Sequence, residues 1–274
     1  MLWASAFVAI RHLAEVFTPG ALSLGRLLVG TLALGAVLLT RRWVAPTPGE
    51  WARLVAIGLL WFALYNVALN AGERRVDAGT AALLIQLSPV LVALLAAVFL
   101  GERLTAWLGI GLAVAFAGVV LIATSTSGHD ERDPWGVVLC LVSAAAYAVS
   151  LVLQKPLTAR LSAVQITWTA CAVGTLACLP FSGALLDGVR DASGADVWWL
   201  VYLGLFPTAI AFSTYAYALS HMDAGSLSVT TYLVPPITVA MSWLLLGEVP
   251  PVLAYVGGAL CLAGVALARR RPRD

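Results

Sequence analysis

Apolar residues fill long unbroken runs along this chain, and polar residues gather in the short breaks between them. Runs of spanning length fall at 19–40, 51–72, 78–100, 105–124, 134–153, 163–180, 197–220, 224–246 and 251–268. A membrane-spanning helix needs about 20 mostly apolar residues. Lipid offers no partner to an open backbone group, so each run predicts a helix. The breaks are short, for example "ERRVD", "GER", "QKPLTARLS", "HMD" and "GEVP", and none holds a separate domain. A tenth run, "MLWASAFVAI", opens the chain at about half a span. It has no basic lead-in and no cleavage site before a soluble domain, so it does not read as a signal peptide. It reads as the second half of a helix, and the expectation is that residues of this span precede Met1.

The pattern is written twice. Gly101-Glu102 and Gly247-Glu248 lie 146 residues apart (248 − 102). The same offset aligns Pro89 with Pro235, Gly111 with Gly257, Gly118 with Gly264, Gly58 with Gly204, and "VDAG" at 76–79 with "MDAG" at 222–225. Earlier in the chain the offset drifts. "GTLA" at 30–33 recurs at 174–177, an offset of 144, and Phe7 aligns with Tyr147, an offset of 140. The reading is one five-helix unit in two copies, 1–124 and 134–268. An odd number of spans per copy turns the second copy upside down, the layout of many secondary transporters with a midplane site between repeats.

Composition narrows the class. The chain of 274 residues is 61% hydrophobic and 11% charged, with mean hydropathy +0.93. Soluble domains carry roughly 25% charged residues, so the solvent for this surface is the lipid bilayer. A net charge of +2 gives no electrostatic footprint for nucleic acid. Cys140, Cys171, Cys178 and Cys261 sit in apolar runs and read as small hydrophobes. His12, His129 and His221 have no second ligand at metal spacing. No metal or cofactor is expected.

Arg and Lys set the orientation. With the N-terminus inside and ten spans, inside loops carry ten of these residues (Arg41, Arg42, Arg53, Arg103, Lys155, Arg160, Arg269, Arg270, Arg271, Arg273). Outside loops carry five: Arg11, Arg74, Arg75, Arg132 and Arg190. The positive-inside rule then places both termini in the cytoplasm and the chain in the cell membrane.

"WASAFVAIR" (3–11), "GRLLVGTLAL" (25–34), "DAGTAALLIQLSPVLVALLAAVFLGERLT" (77–105) and "PPITVAMSWLLLGEVPP" (235–251) occur in the order and spacing of a known family. On these words the chain resembles the EamA-type transporters of the drug/metabolite transporter superfamily along nearly its whole length. The resemblance implies a ten-helix, all-α integral membrane protein that moves small metabolites, often exporting amino acids or related compounds. It names no substrate. The chain departs from the family pattern at its start, where a full first helix is expected.

Candidate residues follow from the physics of polar groups in lipid. Pro89 and Pro235 fall inside their runs, where proline frees the carbonyl four residues back, here Ile85 and Thr231. Gln86 neighbours one of these carbonyls, and its repeat mate is Tyr232. Trp3, Tyr65, Asn66, Asn70, Tyr147, Gln154, Tyr215 and Tyr217 are further candidates for a pathway wall, or interhelical glue. Arg26 is the one Lys or Arg well inside a span. Buried charge marks function, but a long side chain near a helix end can also snorkel. No Asp or Glu lies in mid-span, which gives no support for proton coupling through a buried carboxylate.

Gly101-Glu102 and Gly247-Glu248 read as helix-turn punctuation, glycine closing one helix and glutamate favoured before the next, the rival reading being a gate-forming or ion-coupling carboxylate. Asp77 and Asp223 read as helix N-caps. The residues thus predict a secondary transporter with a small-molecule substrate, a homodimer being a candidate assembly. No catalytic constellation and no phosphate-binding loop argues for an enzyme. The rival reading is a polytopic scaffold or assembly subunit without transport activity.

Overall fold

The computed structural model describes residues 2–72, 74–75, 84–126, 133–246 and 252–268. Gly247, Glu248 and Asp77 lie outside the described residues. The described chain is helical: α1 (Leu2–Leu13), α2 (Pro19–Leu38), α3 (Pro48–Gly72), α4 (Ser88–Leu100), α5 (Ala106–Thr126), α6 (Pro134–Ala159), α7 (Ala163–Asp191), α8 (Gly194–His221), α9 (Ala224–Ser228), α10 (Val234–Leu246) and α11 (Val252–Ala268). Five of these, α2, α3, α6, α7 and α8, are long and apolar enough to cross a membrane. Shorter apolar helices at Ser88–Leu100, Ala106–Ile122 and Val252–Ala268 accompany them.

Local sequence explains the helix ends. Thr47 and Ser193 open α3 and α8 with capping boxes closed by Glu50 and Asp196. Thr18 and Ser162 cap α2 and α7 through their hydroxyls. Gly101 ends α4 at φ 66°, a left-handed conformation that glycine adopts without the Cβ clash. The Glu102 amide then donates to the Ala96 carbonyl, six residues back, at 3.2 Å.

Element positions recur at the sequence offset. The starts of α3 and α8 differ by 146 (194 − 48), and so do those of α4 and α10 (234 − 88) and of α5 and α11 (252 − 106). Inside α3 the helix widens to a π-helical segment at Gly58–Leu64, and α8 does so at Gly204–Ile210. Such segments in otherwise α-helical spans concentrate at functional sites.

Pro89 and Pro235 fall inside their apolar runs, yet in the structure each stands at the start of a helix and not in its middle. Pro89 lies in the first turn of α4, after a turn at 86–87. Pro235 lies in the first turn of α10, and a 3₁₀ segment, Val229–Leu233, separates it from α9. Proline suits a first helical turn because its missing N–H has no partner to lose there. The sequence spans at 78–100 and 224–246 are therefore interrupted where the prolines stand.

The chain divides into two compact units, each drawing on both sequence halves. The first holds Leu2–Asn70 and Leu153–His221, and so α1, α2, most of α3, α7 and α8. Its core includes Ala9, Leu13, Phe17, Leu22, Leu200 and Leu203. Gly58 and Gly204 let helices meet there. A Cβ on Gly58 would stand 2.7 Å from Ala170 O, and one on Gly204 would stand 2.8 Å from Arg26 O. Ala170 and Arg26 are themselves 144 residues apart (170 − 26), the offset at which "GTLA" recurs.

The second unit holds Ala71–Val152 and the chain from Met222 on. Here α5 and α11 run antiparallel with their backbones almost touching. A Cβ on Gly118 would come 2.5 Å from Gly257 O, and one on Gly257 would come 2.6 Å from Gly118 O. At the other end of the contact, a Cβ on Gly111 would lie 2.6 Å from Gly264 O. Tyr232 is wholly buried against this pair, among Leu108, Leu112, Ala115 and Cys261.

Candidate functional site

In the first unit, α8 carries Pro207 inside its π-helical segment, and side chains bond to the turn around it. Pro207 has no N–H for the Leu203 carbonyl, four residues back. The Thr208 hydroxyl donates to that carbonyl at 2.8 Å. Arg26 Nε in turn donates to Thr208 Oγ1 at 3.1 Å. Trp3 Nε1 donates to the Pro207 carbonyl at 3.1 Å. Two long-range side chains thus converge on two adjacent residues of one π-helical turn.

Aromatic rings gather next to that turn. Trp3 meets Tyr215 at a centroid distance of 4.9 Å and Phe212 at 5.4 Å. Trp61 meets Phe212 at 5.0 Å, and Phe62 meets it at 4.8 Å. Rings prefer such tilted and edge-to-face arrangements to a flat sandwich. Arg26, Thr208, Trp61, Phe62, Phe212 and Tyr215 are all buried, and Trp3 is half-buried. The sequence pattern singled out Trp3, Arg26 and Tyr215. It missed Pro207, Thr208, Trp61, Phe62 and Phe212, although a proline in the middle of "GLFPTAIAF" was a usable signal.

Of the other candidates in this unit, Asn66 and Asn70 hold helices. Asn66 donates to the Phe62 carbonyl at 2.8 Å and the Trp61 carbonyl at 3.2 Å, closing the π-helical segment of its own helix. Asn70 donates to Ser23 Oγ at 3.1 Å and Pro19 O at 3.3 Å, tying α3 to α2. Tyr65 is half-buried and Gln154 is buried. Tyr217 is 61% exposed, well outside the ring cluster, and its ring packs on His221 at 4.5 Å.

At the helix ends of this unit, two acidic capping-box residues grip basic side chains far along the chain. Glu50 pairs with Arg160, and the Arg160 Nε–H meets Glu50 Oε1 at 2.9 Å. Asp196 pairs with His12 at 2.7 Å. Glu50 and Asp196 stand 146 residues apart (196 − 50), the offset that separates the two Gly-Glu pairs.

In the second unit the interrupted spans are cross-linked. Gln86 Nε2 donates at 3.0 Å to the Thr231 carbonyl, which has no α-helical donor at Pro235 and is also bound by the Val234 amide. The Ser88 hydroxyl donates to the Ile85 carbonyl, the group that Pro89 leaves open. Gln86 is buried and so is Tyr147. The Tyr232 hydroxyl has no hydrogen-bond partner among the described residues.

Glu102 has a second task besides following the Gly101 turn. Its carboxylate accepts from the Ala224 amide at 2.8 Å and the Gly225 amide at 3.0 Å, 122 and 123 residues away. These are the first amides of α9, where orphan N–H groups and the helix dipole favour an anion. The expected side-chain cap from Asp223 is absent: Asp223 stands at the N-cap position but makes no capping bond. At the mouth of α6, Asp133 lies below the ordinary carboxylate range, because the Trp135 amide and then Arg75 bind its charged form.

Long apolar helices, buried polar cross-links and interrupted spans define a multi-pass membrane protein of the transporter class. The EamA-like transporter family matches residues 1–124 and 134–270. The chain belongs to that family. It is 41% identical over 272 residues to a protein of Streptantibioticus cattleyicolor described as a "probable terminal-alkyne amino-acid exporter", covering 98% of this chain and 90% of that one. It is 33% identical over 266 residues to the uncharacterized transporter YdfC of Bacillus subtilis, covering 96% of this chain and 86% of that one. A solved crystal structure shares the fold with a TM-score of 0.80 at 22% identity, covering 98% of this chain and 92% of the other.

Proposed function

We propose that the chain is a secondary transporter that exports amino acids or related small metabolites by alternating access between two inverted five-helix repeats. The observation that carries this reading is the antiparallel contact of α5 with α11. Gly111 and Gly118 of one helix face Gly264 and Gly257 of the other. The offset of 146 maps Gly111 to Gly257 and Gly118 to Gly264, so repeat mates exchange partners. Antiparallel helices that exchange partners this way are related by a two-fold axis perpendicular to them. For membrane-crossing helices that axis lies in the membrane plane, which supports inversion.

Contacts between mates support the same reading within each unit. Thr31 Oγ1 and Thr175 Oγ1, mates at offset 144, lie 2.9 Å apart. Cys261 Sγ approaches the carbonyl of Ala115, its mate at 146, at 3.5 Å. The repeats are 1–124 and 134–268, in a ten-span cell-membrane protein with both termini cytoplasmic, on the Arg and Lys bias. The candidate pathway residues are Trp3, Arg26 and Tyr215 in the first unit, and Gln86 and Tyr232, beside the breaks at Pro89 and Pro235, in the second. The amino-acid class rests on the relative at 41% identity.

The test is reconstitution of the purified chain into liposomes loaded with a mixture of amino acids. Apolar amino acids are expected to leave these vesicles faster than protein-free ones, with efflux followed by mass spectrometry. Identical efflux from both sets would favour the scaffold reading instead.

A further inference from the structure

The geometry points to Arg26 as the residue that binds a carboxylate of the transported solute, with the ring cluster of Trp3, Trp61, Phe212 and Tyr215 taking its apolar tail. This deepens the transport reading and rests on it. Depth is the first observation. Thr208, which accepts from Arg26 Nε at 3.1 Å, stands 14 residues from Gly194 (208 − 194) and 13 from His221 (221 − 208) in α8. At 1.5 Å per residue that is about 20 Å from either end. A snorkelling arginine would carry its head to the nearer interface. This one carries it to mid-helix and is only 6% exposed.

Chemistry is the second observation. A guanidinium stays charged at any cellular pH, and its planar donor fork matches a carboxylate better than any other side chain does. The Thr208 bond fixes that plane, and Thr208 is itself fixed by the Leu203 carbonyl. A charge placed at this cost at mid-depth is the type of group that marks a solute pathway. The third observation is adjacency. Trp3 hydrogen-bonds to Pro207, the residue before Thr208, and its ring touches Phe212 and Tyr215. Phe212 follows Thr208 by one turn. A fixed cation thus stands one helical turn from an aromatic surface, which suits a small carboxylate with an uncharged, apolar tail.

The experiment compares two probes of nearly equal shape, L-norleucine and L-norleucinamide, by titration calorimetry on the purified full chain. The wild-type protein is expected to bind the acid about tenfold to about a hundredfold more tightly than the amide, the range that a charge-assisted hydrogen bond supports. Arg26→Gln is expected to abolish that preference, and Arg26→Lys to keep part of it. Thr208→Val, which leaves the cation but frees its plane, is expected to shrink the preference. If Arg26→Gln does not yield folded protein, the wild-type ratio and Arg26→Lys decide. Equal binding of acid and amide by the wild type would overturn the assignment. So would a preference that survives in folded Arg26→Gln, or no binding of either probe. Failure here leaves vesicle efflux unaffected, whereas failure of the transport reading abolishes efflux of every amino acid tested.

Discussion

Gly257→Val is expected to be the most damaging single substitution in the second unit. The first atom of the new side chain would lie 2.6 Å from Gly118 O and 2.8 Å from Ile122 Cγ1. A backbone carbonyl cannot rotate away as a side chain can, so α5 and α11 must separate along their whole contact. Overpacking a well-filled interior costs about 1–3 kcal/mol. With rigid backbone on both sides, a loss of about 3 kcal/mol is expected, at the top of that range. Thermal unfolding in detergent, followed by intrinsic fluorescence, measures it. Gly109→Ala is the control on the same helix, because a Cβ there meets nothing within 4 Å. Its melting point is expected to stay at the wild-type value. Equal shifts for both variants would show that the close approach carries no stability.

The second large effect is expected at Gln86. Its side chain supplies a 3.0 Å bond to the Thr231 carbonyl, which loses its α-helical donor at Pro235 and is also bound by the Val234 amide. Gln86→Ala removes that bond and leaves the carbonyl to the Val234 amide alone, at a cost of about 0.5–1.5 kcal/mol. The loss falls on the interrupted segment, so transport is expected to drop about tenfold, the equivalent of 1.4 kcal/mol, while membrane expression holds. Tyr232→Phe is the contrasting change. It removes a hydroxyl with no partner among the described residues and keeps the ring that fills the core. Stability is expected to hold or rise, because burying an unpartnered polar group is unfavourable. Wild-type transport in Gln86→Ala would leave the cross-link as packing alone.

Much of this architecture is written in the order of residues, because hydropathy and capping are local signals. Thr47, Ser193, Pro48 and Gly101 announce their helix ends through chemistry acting within one turn. The repeat is legible because offsets are counted along the chain. Packing partners are a different matter. Nothing local says that Glu102 reaches Ala224, or that Gln86 reaches Thr231, since each bond crosses more than a hundred residues. The same holds for the compact units, each of which takes helices from both halves of the sequence. Asn66 and Asn70 stand four apart and read as one polar face, yet one bonds its own helix and the other bonds α2. Arg26 could be seen in the sequence, but not its depth, because a side chain about 6–7 Å long can point either way along its helix. Thr208, a residue with no charge to flag it, decides the direction.

Inversion of the two repeats is the claim on which the account stands, since it exchanges the membrane faces seen by equivalent residues. Gly49 and Ala195 are repeat mates (195 − 49 = 146), both exposed in the first turn after a capping residue. A single cysteine at each position, in a background without Cys140, Cys171, Cys178 and Cys261, reports its side of the membrane in intact cells. An impermeant thiol reagent added outside is expected to label position 195 and to spare position 49 until the membrane is broken. Labelling of both positions from outside, or of neither, would contradict the inverted repeat.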